Sequence, residues 1–264
     1  MAMLDDWTPH FWKGRTTTEC LVLHYTANES LTEAIAMMRA RAVSAHYIVD
    51  RDGETRRLVR ERDRAWHAGQ SAWNGKDQVN QRSIGVEMVN FGWGEALEQG
   101  RIRRTEDDAV RLADGPVAAV RDDRPASAGF VWAAFPEAQL LAVLALVTAI
   151  VRRQKLDPTQ VIGHEHIAPG RKRDPGPAFP WSRVTAALAD VPHRERWVTR
   201  AVQSHCARLG CAPAGGIDGA WGGQTEQAIA AVVERHGAFY GLVAPAKTWA
   251  ARRAFAEALR GVPG

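Results

Sequence analysis

Short apolar runs alternate with amphipathic segments along the first 190 residues of the chain. Runs rich in apolar and β-branched residues, bounded by turn residues, predict strands at 20–25, 44–53, 55–60, 83–89 and 161–164. Apolar residues at helical spacing predict helices at 31–42, 137–154 and 183–189. Between these elements the periodicity fades, which predicts an elaborated loop or hairpin over 93–135 and irregular structure over 168–180.

The end of the chain has a different pattern. Three further helices are predicted, at 197–209, 225–236 and 246–260, and loops rich in glycine and proline separate them. The preceding stretch 190–195 is polar, contains a proline and is typical of a linker. We therefore predict two domains, 1–190 and 191–264.

The composition is that of a globular protein, since 45% of the 264 residues are hydrophobic, 24% are charged and three are cysteines. These values exclude a disordered chain and a disulfide-rich miniprotein. The 34 basic residues exceed the 30 acidic ones, and residues 191–264, with nine basic and five acidic residues, hold the whole excess. A basic second domain favours an anionic partner. No segment resembles a groove-reading helix, so we do not expect that partner to be nucleic acid.

Neither a leader sequence nor membrane insertion is predicted. Residues 1–13 lack the basic and apolar regions of a signal peptide, and the most apolar stretch, 138–151, is too short to cross a bilayer. We expect a monomer that is made in the cytoplasm. Cys20 is expected in the core, and Cys206 and Cys211 are expected as free thiols.

A few polar residues stand out as candidates for chemistry. His24 and His164 each end an apolar run, and His166 forms an H-x-H pair with His164. Imidazoles on one face, with the carboxylate of Asp174 in a rigid segment, are suitable ligands for zinc, although a histidine that ends a strand is often only structural. Glu87 lies within an apolar strand, so it is paired, exposed or functional, and the spacing leaves these alternatives open.

Five blocks of the first domain, in order, resemble the zinc-dependent N-acetylmuramoyl-L-alanine amidases, the family type of AmpD and the peptidoglycan-recognition proteins. The blocks are LVLHYTA (21–27), SAHYIVDRDG (44–53), AWHAGQSAWNG (65–75), SIGVEMVN (83–90) and GHEHIAPGRKRDPGPAFPW (163–181). The resemblance covers about residues 15–190. It implies an α/β fold in which helices flank a mixed central β-sheet.

The resemblance also implies a catalytic site. The positions that match the family's zinc ligands are His24, His164 and Asp174. Three protein ligands leave the fourth position of zinc to water. Glu87 matches the catalytic acidic residue and would accept a proton from that water, while Lys172 matches the cleft lysine and would stabilise the developing oxyanion.

Three other histidines lie within the matching blocks. His46 and His67 match positions near the cleft and are candidates for substrate contact or for support of the ligands, with a purely structural role equally open. His166 occupies a position where relatives commonly carry aspartate. We therefore expect His166 not to bind the metal.

Residues 197–260 resemble the three-helix peptidoglycan-binding modules that are attached to wall hydrolases. The motif GIDGAWGGQT (216–225) carries this resemblance. Val233 and Glu234 stand where relatives usually have Phe-Gln, so a small helical bundle without a ligand remains the alternative. The resemblance implies a small all-α domain that binds peptidoglycan.

Together these features predict an endolysin-type amidase that degrades bacterial peptidoglycan and reaches the periplasm by holin-type release from the host cytoplasm. Two alternatives remain: a cytosolic amidase that recycles muropeptides, and a non-catalytic peptidoglycan receptor. A recycling enzyme has little need of a wall-binding module, and a receptor has no need of the metal-site residues. The segment 93–135 follows the strand of Glu87, and we expect it to border the substrate groove.

Overall fold

A six-stranded mixed β-sheet lies at the centre of the fold in a computed structural model that describes residues 3–15, 17–98, 102–106, 109–113, 117–118 and 130–262. In chain order the strands are β1 (Leu4–Asp5), β2 (Phe11–Trp12), β3 (Cys20–Tyr25), β4 (Tyr47–Val49), β5 (Thr55–Arg57), β6 (Arg64–Ala65), β7 (Ala72–Trp73), β8 (Lys76–Asp77), β9 (Ser83–Met88), β10 (Trp93–Ala96), β11 (Ile102–Glu106), β12 (Ala109–Ala113), β13 (Val117–Ala118), β14 (Phe130–Ala133) and β15 (Val161–Gly163). The α-helices are α1 (Leu31–Ala40), α2 (Glu137–Gln154), α3 (His164–Ile167), α4 (Trp181–Ala187), α5 (Glu195–Arg208), α6 (Gly223–Tyr240) and α7 (Trp249–Leu259).

The central sheet has the strand order β1-β5-β4-β9-β3-β15. Strands β4, β9, β3 and β15 run parallel to one another, whereas β5 pairs with β4 in antiparallel register across a turn that contains Asp52 and Gly53. Parallel and antiparallel pairs in one sheet, with helices around it, confirm the predicted fold class. The predicted strand 20–25 is found with the same limits.

Helix α1 begins where its sequence predicts. The Ser30 hydroxyl accepts a hydrogen bond from the Glu33 amide at 3.3 Å, as expected for an N-cap residue. Helix α2 spans the predicted residues 137–154 and packs its apolar side against one face of the sheet. The buried residues of that contact include Leu21, Leu23, Ile84, Val86, Val143, Val147 and Ile150. Successive residues of a strand point to opposite faces, so the strand residues next to Leu21, Leu23, Ile84 and Val86 face away from α2.

The segment 93–135 is more regular than the sequence predicts. Its described residues form a five-stranded antiparallel sheet with the order β12-β11-β10-β14-β13. Residues 99–101, 107–108, 114–116 and 119–129 of the segment lie outside the described residues. The strands escaped prediction because they lack an apolar alternation; β11, for example, reads IRRTE and has one large apolar residue.

The C-terminal part is helical, as predicted. Helices α5, α6 and α7 share one apolar cluster that includes Val198, Val202, Ile229, Val232, Phe255 and Leu259. Cys206 and Cys211 are buried there as free cysteines. No helix within the described ranges is long and apolar enough to span a bilayer. The division of the chain into two domains remains a prediction.

Candidate metal centre and cleft

Three neighbouring parallel strands end at one edge of the sheet and bring the predicted site residues together. Strand β3 lies between β9 and β15, with His24 directly opposite Glu87 and Leu23 opposite Gly163. His164 follows Gly163 and begins α3. Directly opposite residues point to the same face of a sheet, so His24 and Glu87 share a face at the carboxyl edge, where α/β folds commonly bind ligands.

Small residues make room for the site on this face of the sheet. Ser83, Gly85 and Glu87 alternate along β9 with the apolar residues that face α2. A Cβ atom on Gly85 would lie 2.5 Å from Cγ of His67. Glycine at this position therefore allows the His67 ring to lie over the strand and to reach His24.

Asp174 approaches the strand ends from the loop that follows α3. Its carbonyl oxygen accepts a hydrogen bond from the Glu165 amide at 2.9 Å, which ties the loop to the first turn of α3. A Cβ atom on Gly163 would lie 2.6 Å from Cδ of Pro175, so glycine permits this close approach. The Asp174 side chain is thus fixed beside His164.

The Nδ1 atoms of His24 and His164 and the Oδ2 atom of Asp174 form a nearly equilateral triangle. The two nitrogens are 2.9 Å apart, and each lies 3.0 Å from the carboxylate oxygen. All three side chains are buried. Within the described part of the chain, they are the one group of histidine, cysteine and acidic residues arranged to hold a metal ion. Two imidazoles and a carboxylate fit zinc and leave a position for water.

A backbone hydrogen bond orients the ring of His164. Its Nε2 atom lies 3.1 Å from the carbonyl oxygen of Ala68. A carbonyl only accepts, so Nε2 carries the proton and Nδ1 presents its lone pair to the triangle.

A chain of hydrogen bonds orients His24 in the same way. The Ser83 hydroxyl donates to the carbonyl of Val79 at 2.7 Å and lies 3.1 Å from Nε2 of His67. Because the Ser83 hydroxyl donates its proton to Val79, it can only accept from Nε2–H of His67. The Nδ1 atom of His67 is then unprotonated and can accept a hydrogen bond. Nε2–H of His24 lies 2.9 Å from this acceptor. His24 therefore also presents a free Nδ1 to the triangle.

Burial and neighbouring charges shift the pKa values of His24 and Asp174 so that, at neutral pH, His24 is neutral and Asp174 is ionised. Burial, and then the nearby His164, lower the pKa of His24 to about 4. Burial alone would raise the pKa of Asp174, but His164 and His24 outweigh it and hold this pKa well below its usual range. Deprotonated nitrogen and oxygen atoms are the forms that bind a metal ion.

Glu87 is the second acidic group at this edge of the sheet. Its side chain is partly buried, and its Oε2 atom is shielded from solvent without a hydrogen-bond partner among the described residues. Burial, and then the charge of Asp174, raise the pKa of Glu87 to about 8, while Lys172 acts in the opposite direction. A carboxyl group with a pKa near the working pH is suited to proton transfer.

A cavity of about 560 Å³ opens over the triangle and contains both predicted catalytic residues, Glu87 and Lys172, in its lining. His67 also lines it. The basic residues of the lining are Arg41, Arg171, Lys172 and Arg173. This excess of positive charge favours an anionic ligand.

Strand β10 supplies one wall of the cavity. Trp93 lines it, and the Arg173 guanidinium lies 4.5 Å from the centroid of the Trp93 ring. Phe130 and Trp132 of β14 support that ring at centroid distances of 5.0 and 6.1 Å. The described beginning of the segment 93–135 thus borders the cavity, and its contact with substrate remains a prediction.

His46 lies apart from the cavity lining. Its Nδ1 atom accepts a hydrogen bond from the Gly85 amide at 3.0 Å, and its Nε2 atom lies 3.1 Å from the carbonyl oxygen of Asp63. Both ring nitrogens are thus bonded to the backbone, which favours the structural alternative for this residue.

His166 is separated from the triangle by the helical turn α3, which begins at His164. If strand β15 continued, His164 and His166 would lie on the same face of the sheet. Because α3 begins at His164, the His166 side chain instead lies against the C-terminal helices. Its ring nitrogens lie 3.0 Å from the Gly163 amide nitrogen and from the Arg260 carbonyl oxygen.

Some contributors to the site were not singled out from the sequence. Ser83 fixes the orientation of His67, and Trp66 and Trp93 line the cavity. The one available signal for Ser83 is its alternation with Glu87 along β9. A tryptophan alone does not reveal whether it faces a core or a cleft.

Comparison with known proteins places these residues in a family. The model of the Amidase_2 family, described as N-acetylmuramoyl-L-alanine amidase, matches residues 14–177. The amidase AmiD of Escherichia coli (strain K12) is 35% identical over 172 residues, which are 62% of this chain and 51% of AmiD. The 1,6-anhydro-N-acetylmuramyl-L-alanine amidase AmpD of Citrobacter freundii is 30% identical over 58% of this chain and 61% of AmpD. The chain thus spans about half to three fifths of these relatives.

Two solved structures are similar over more of the chain. The complex of E. coli AmiD with anhydro-N-acetylmuramic acid-L-Ala-D-gamma-Glu-L-Lys has a TM-score of 0.51 at 25% identity and covers 84% of this chain and 91% of AmiD. AmpDh3 from Pseudomonas aeruginosa, in complex with anhydromuramic pentapeptide, has a TM-score of 0.50 at 25% identity and covers 87% of this chain and 94% of AmpDh3. Because the family model spans more than half of the chain, the chain belongs to the N-acetylmuramoyl-L-alanine amidase family.

Proposed function

We propose that the chain is a zinc-dependent hydrolase of the amide bond between the lactyl group of N-acetylmuramic acid and the L-alanine of the stem peptide. The triangle of His24, His164 and Asp174 at the base of an open cavity carries this proposal. These three residues would hold the ion. When bound, zinc polarises the substrate carbonyl and lowers the pKa of water toward 7.

Glu87 would act as the general base and then as the general acid. It lies beside His24 in the sheet, and its Oε2 atom has no hydrogen-bond partner within the described residues. In its deprotonated form it accepts the proton of the attacking water. It then returns this proton to the alanine nitrogen as the amide bond breaks.

Lys172 would stabilise the negative charge that develops on the carbonyl oxygen. It lines the same cavity as Glu87, and its positive charge acts to lower the pKa of Glu87. A nearby ammonium group favours a transition state with an oxyanion over the neutral amide. His67 would keep the His24 ring in its metal-binding orientation.

Two cellular settings are compatible with this chemistry. In the first, residues 191–264 bind peptidoglycan and the enzyme lyses cell walls as an endolysin does. The motif 216–225 and the positive charge of residues 191–264 support this setting. In the second, the enzyme recycles muropeptides. The anhydromuramyl peptides bound in the AmiD and AmpDh3 structures support the second setting. The catalytic residues disfavour a non-catalytic receptor.

One experiment tests the reaction and separates the settings. Purified chain would be incubated with intact sacculi and with soluble anhydromuropeptides, each with zinc, with a chelator, and with chelator followed by zinc. We expect release of stem peptides that the chelator abolishes and zinc restores. Release from sacculi supports wall lysis, and cleavage of soluble muropeptides alone supports recycling. Binding without cleavage under all conditions contradicts the proposed activity.

A further inference from the structure

The end of helix α7 is buried against the strand that leads to His164. Arg260, the residue after α7, is 2% exposed. Its guanidinium donates to the carbonyl oxygens of Pro158 and Val161 at 3.4 and 3.3 Å and to the Thr185 hydroxyl at 2.9 Å. The two terminal nitrogens of the guanidinium make these bonds and tie α7 to the start of β15, whereas its buried Nε atom has no hydrogen-bond partner among the described residues.

His166 makes a second connection between the same two segments. The Gly163 amide donates to Nδ1 of His166 at 3.0 Å, which leaves the ring proton on Nε2. That proton points to the carbonyl oxygen of Arg260, also at 3.0 Å. His166 thus bridges the last residue of β15 and the end of α7, and His164 lies between Gly163 and His166 in the chain.

Helix α5 reinforces this contact. The His205 ring packs edge-on against His166, with their centroids 5.0 Å apart. Ala201 belongs to a buried cluster with residues of β3 and β15. The Ser204 hydroxyl donates to the Asn74 side chain at 3.1 Å. The C-terminal helices therefore contact the sheet and its loops through both buried apolar residues and polar side chains.

Strand β15 needs such support because it lies at the edge of the sheet. It has three residues and pairs, within the described residues, with β3 alone. Val161 offers its carbonyl oxygen to Arg260. A metal ligand at the end of a short edge strand is held only as firmly as that strand.

We propose that the C-terminal helices position the metal ligand His164, and that the bonds of His166 and Arg260 transmit this effect. The expected effect on zinc affinity rests on the proposed function, whereas the expected stabilisation of strand β15 does not. His166 and Arg260 are positioning residues, since neither lines the cavity. Their loss is expected to weaken zinc binding without removing a ligand.

The test uses full-length variants. Arg260→Met removes the guanidinium, Thr185→Val removes one of its acceptors, and His166→Phe removes both ring hydrogen bonds. His166→Gln retains a donor and is expected to restore part of the effect. Arg253→Met, on the more exposed side of α7, is the matched control. Zinc affinity would be measured by competition with a chromophoric chelator, and ligand geometry by the visible spectrum of the cobalt-substituted protein.

We expect Arg260→Met and His166→Phe to lower zinc affinity about 10- to 100-fold, with an altered cobalt spectrum, and Thr185→Val to have a smaller effect in the same direction. The control is expected to match the wild type. Variants that unfold at a lower temperature but keep wild-type zinc affinity and cobalt spectrum would overturn the proposal.

Hydrogen exchange of residues 161–167 in the metal-free chain gives a readout that is independent of zinc. We expect faster exchange in Thr185→Val and His166→Phe than in the wild type and in Arg253→Met. Unchanged exchange in both variants would overturn the proposal. A wild-type chain that binds no zinc would contradict the proposed function, while the exchange rates would still decide whether the helices hold the strand.

Discussion

The two candidate histidine ligands present the same ring nitrogen because their other nitrogens are bound elsewhere. His164 uses a backbone carbonyl for this purpose, whereas His24 uses the side chain of His67, which Ser83 orients in turn. The His24 arrangement depends on two side chains and is therefore the one that substitutions can test.

Replacement of His67 by phenylalanine removes the acceptor for Nε2–H of His24. We expect zinc affinity to fall about 10- to 100-fold, because loss of such a partner frees the ligand ring to rotate. His67→Asn, whose side-chain oxygen can take the place of Nδ1, is expected to retain more of the affinity. Chelator competition measures both, and equal affinities of His67→Phe and wild type would contradict the assigned hydrogen-bond chain.

Glu87→Gln is expected to lower the hydrolysis rate by about two to four orders of magnitude, because the chain then lacks its general base. Zinc content would be measured in the same samples and should stay unchanged, since Glu87 is not part of the ligand triangle. Near-normal turnover of a zinc-loaded Glu87→Gln chain would show that Glu87 does not transfer the proton.

The raised pKa of Glu87 also predicts a dependence of stability on pH in the metal-free chain. The folded chain holds this proton up to about pH 8, whereas the unfolded chain releases it near the ordinary glutamate pKa of 4.5. Stability from this group is therefore fully present below pH 4.5 and is lost as the pH rises toward 8.

Glu87→Gln cannot lose that proton. Its free energy of unfolding relative to the wild type is expected to rise between pH 4.5 and 8, by at most about 1.4 kcal/mol per pH unit. Urea denaturation at several pH values measures this difference. A constant difference across the range would show that Glu87 titrates normally in the folded chain.

At the scale of elements, the sheet inserted after β9 supplies a wall of the cleft through Trp93. We expect Trp93→Ala to lower kcat/KM on a soluble muropeptide by a factor of about 5, which corresponds to about 1 kcal/mol of lost contact. Zinc affinity should not change. Trp249→Ala, at a 38% exposed tryptophan of α7 outside the cavity lining, is the control. Equal kcat/KM values for both variants would argue against a substrate contact at Trp93.

The elements with a strong local pattern were predictable from the sequence. Helix α2 has an apolar side interrupted by the buried Gln139, α1 has a capping residue, and β3 begins with four apolar residues, so burial and local hydrogen bonds determine each of them. The inserted sheet was missed because strand pairing with neighbours, rather than an apolar alternation, holds β11 in place. Pairing partners of this kind leave little trace in a single sequence.

The candidate site was predictable in its residue types but not in its supports. The histidines and acidic residues could be named from five sequence blocks, yet the direction of each side chain depended on the fold. His166 is the clearest case, since a helical turn instead of a continued strand moves it away from His164. The contact of Arg260 with β15 could not be predicted from the sequence, because about 100 residues separate them along the chain.

At the scale of the molecule, the positive charge of residues 191–264 is only partly available to a partner. Arg260 is buried, and Arg208 donates to the carbonyl oxygens of Leu259 and Val262. Arg208 thus ties α5 to the end of α7, and Arg260 ties α7 to β15. Adsorption to an anionic wall would therefore depend on the basic residues that remain exposed.

Neutralising exposed charges tests this role better than deleting the helices, since deletion would also uncover their contact with the sheet. We expect Lys247→Gln with Arg196→Gln to weaken adsorption to sacculi severalfold at low salt and less at high salt, because salt screens exposed charges. Lys13→Gln with Arg62→Gln, exposed on the other part of the chain, is the matched control. Equal adsorption of both double variants would argue against a basic wall-binding surface on the helices.

Hydrolysis of the bond between the lactyl group and L-alanine would leave oxygen from water in one product alone. Mass spectrometry of the products formed in ¹⁸O-labelled water detects that oxygen. We expect one ¹⁸O atom in the lactyl carboxylate of the muramic acid product, none in a peptide with a free alanine amine, and no product from His24→Ala. Cleavage at another bond, ¹⁸O in the peptide product, or full activity of His24→Ala would contradict the proposed reaction.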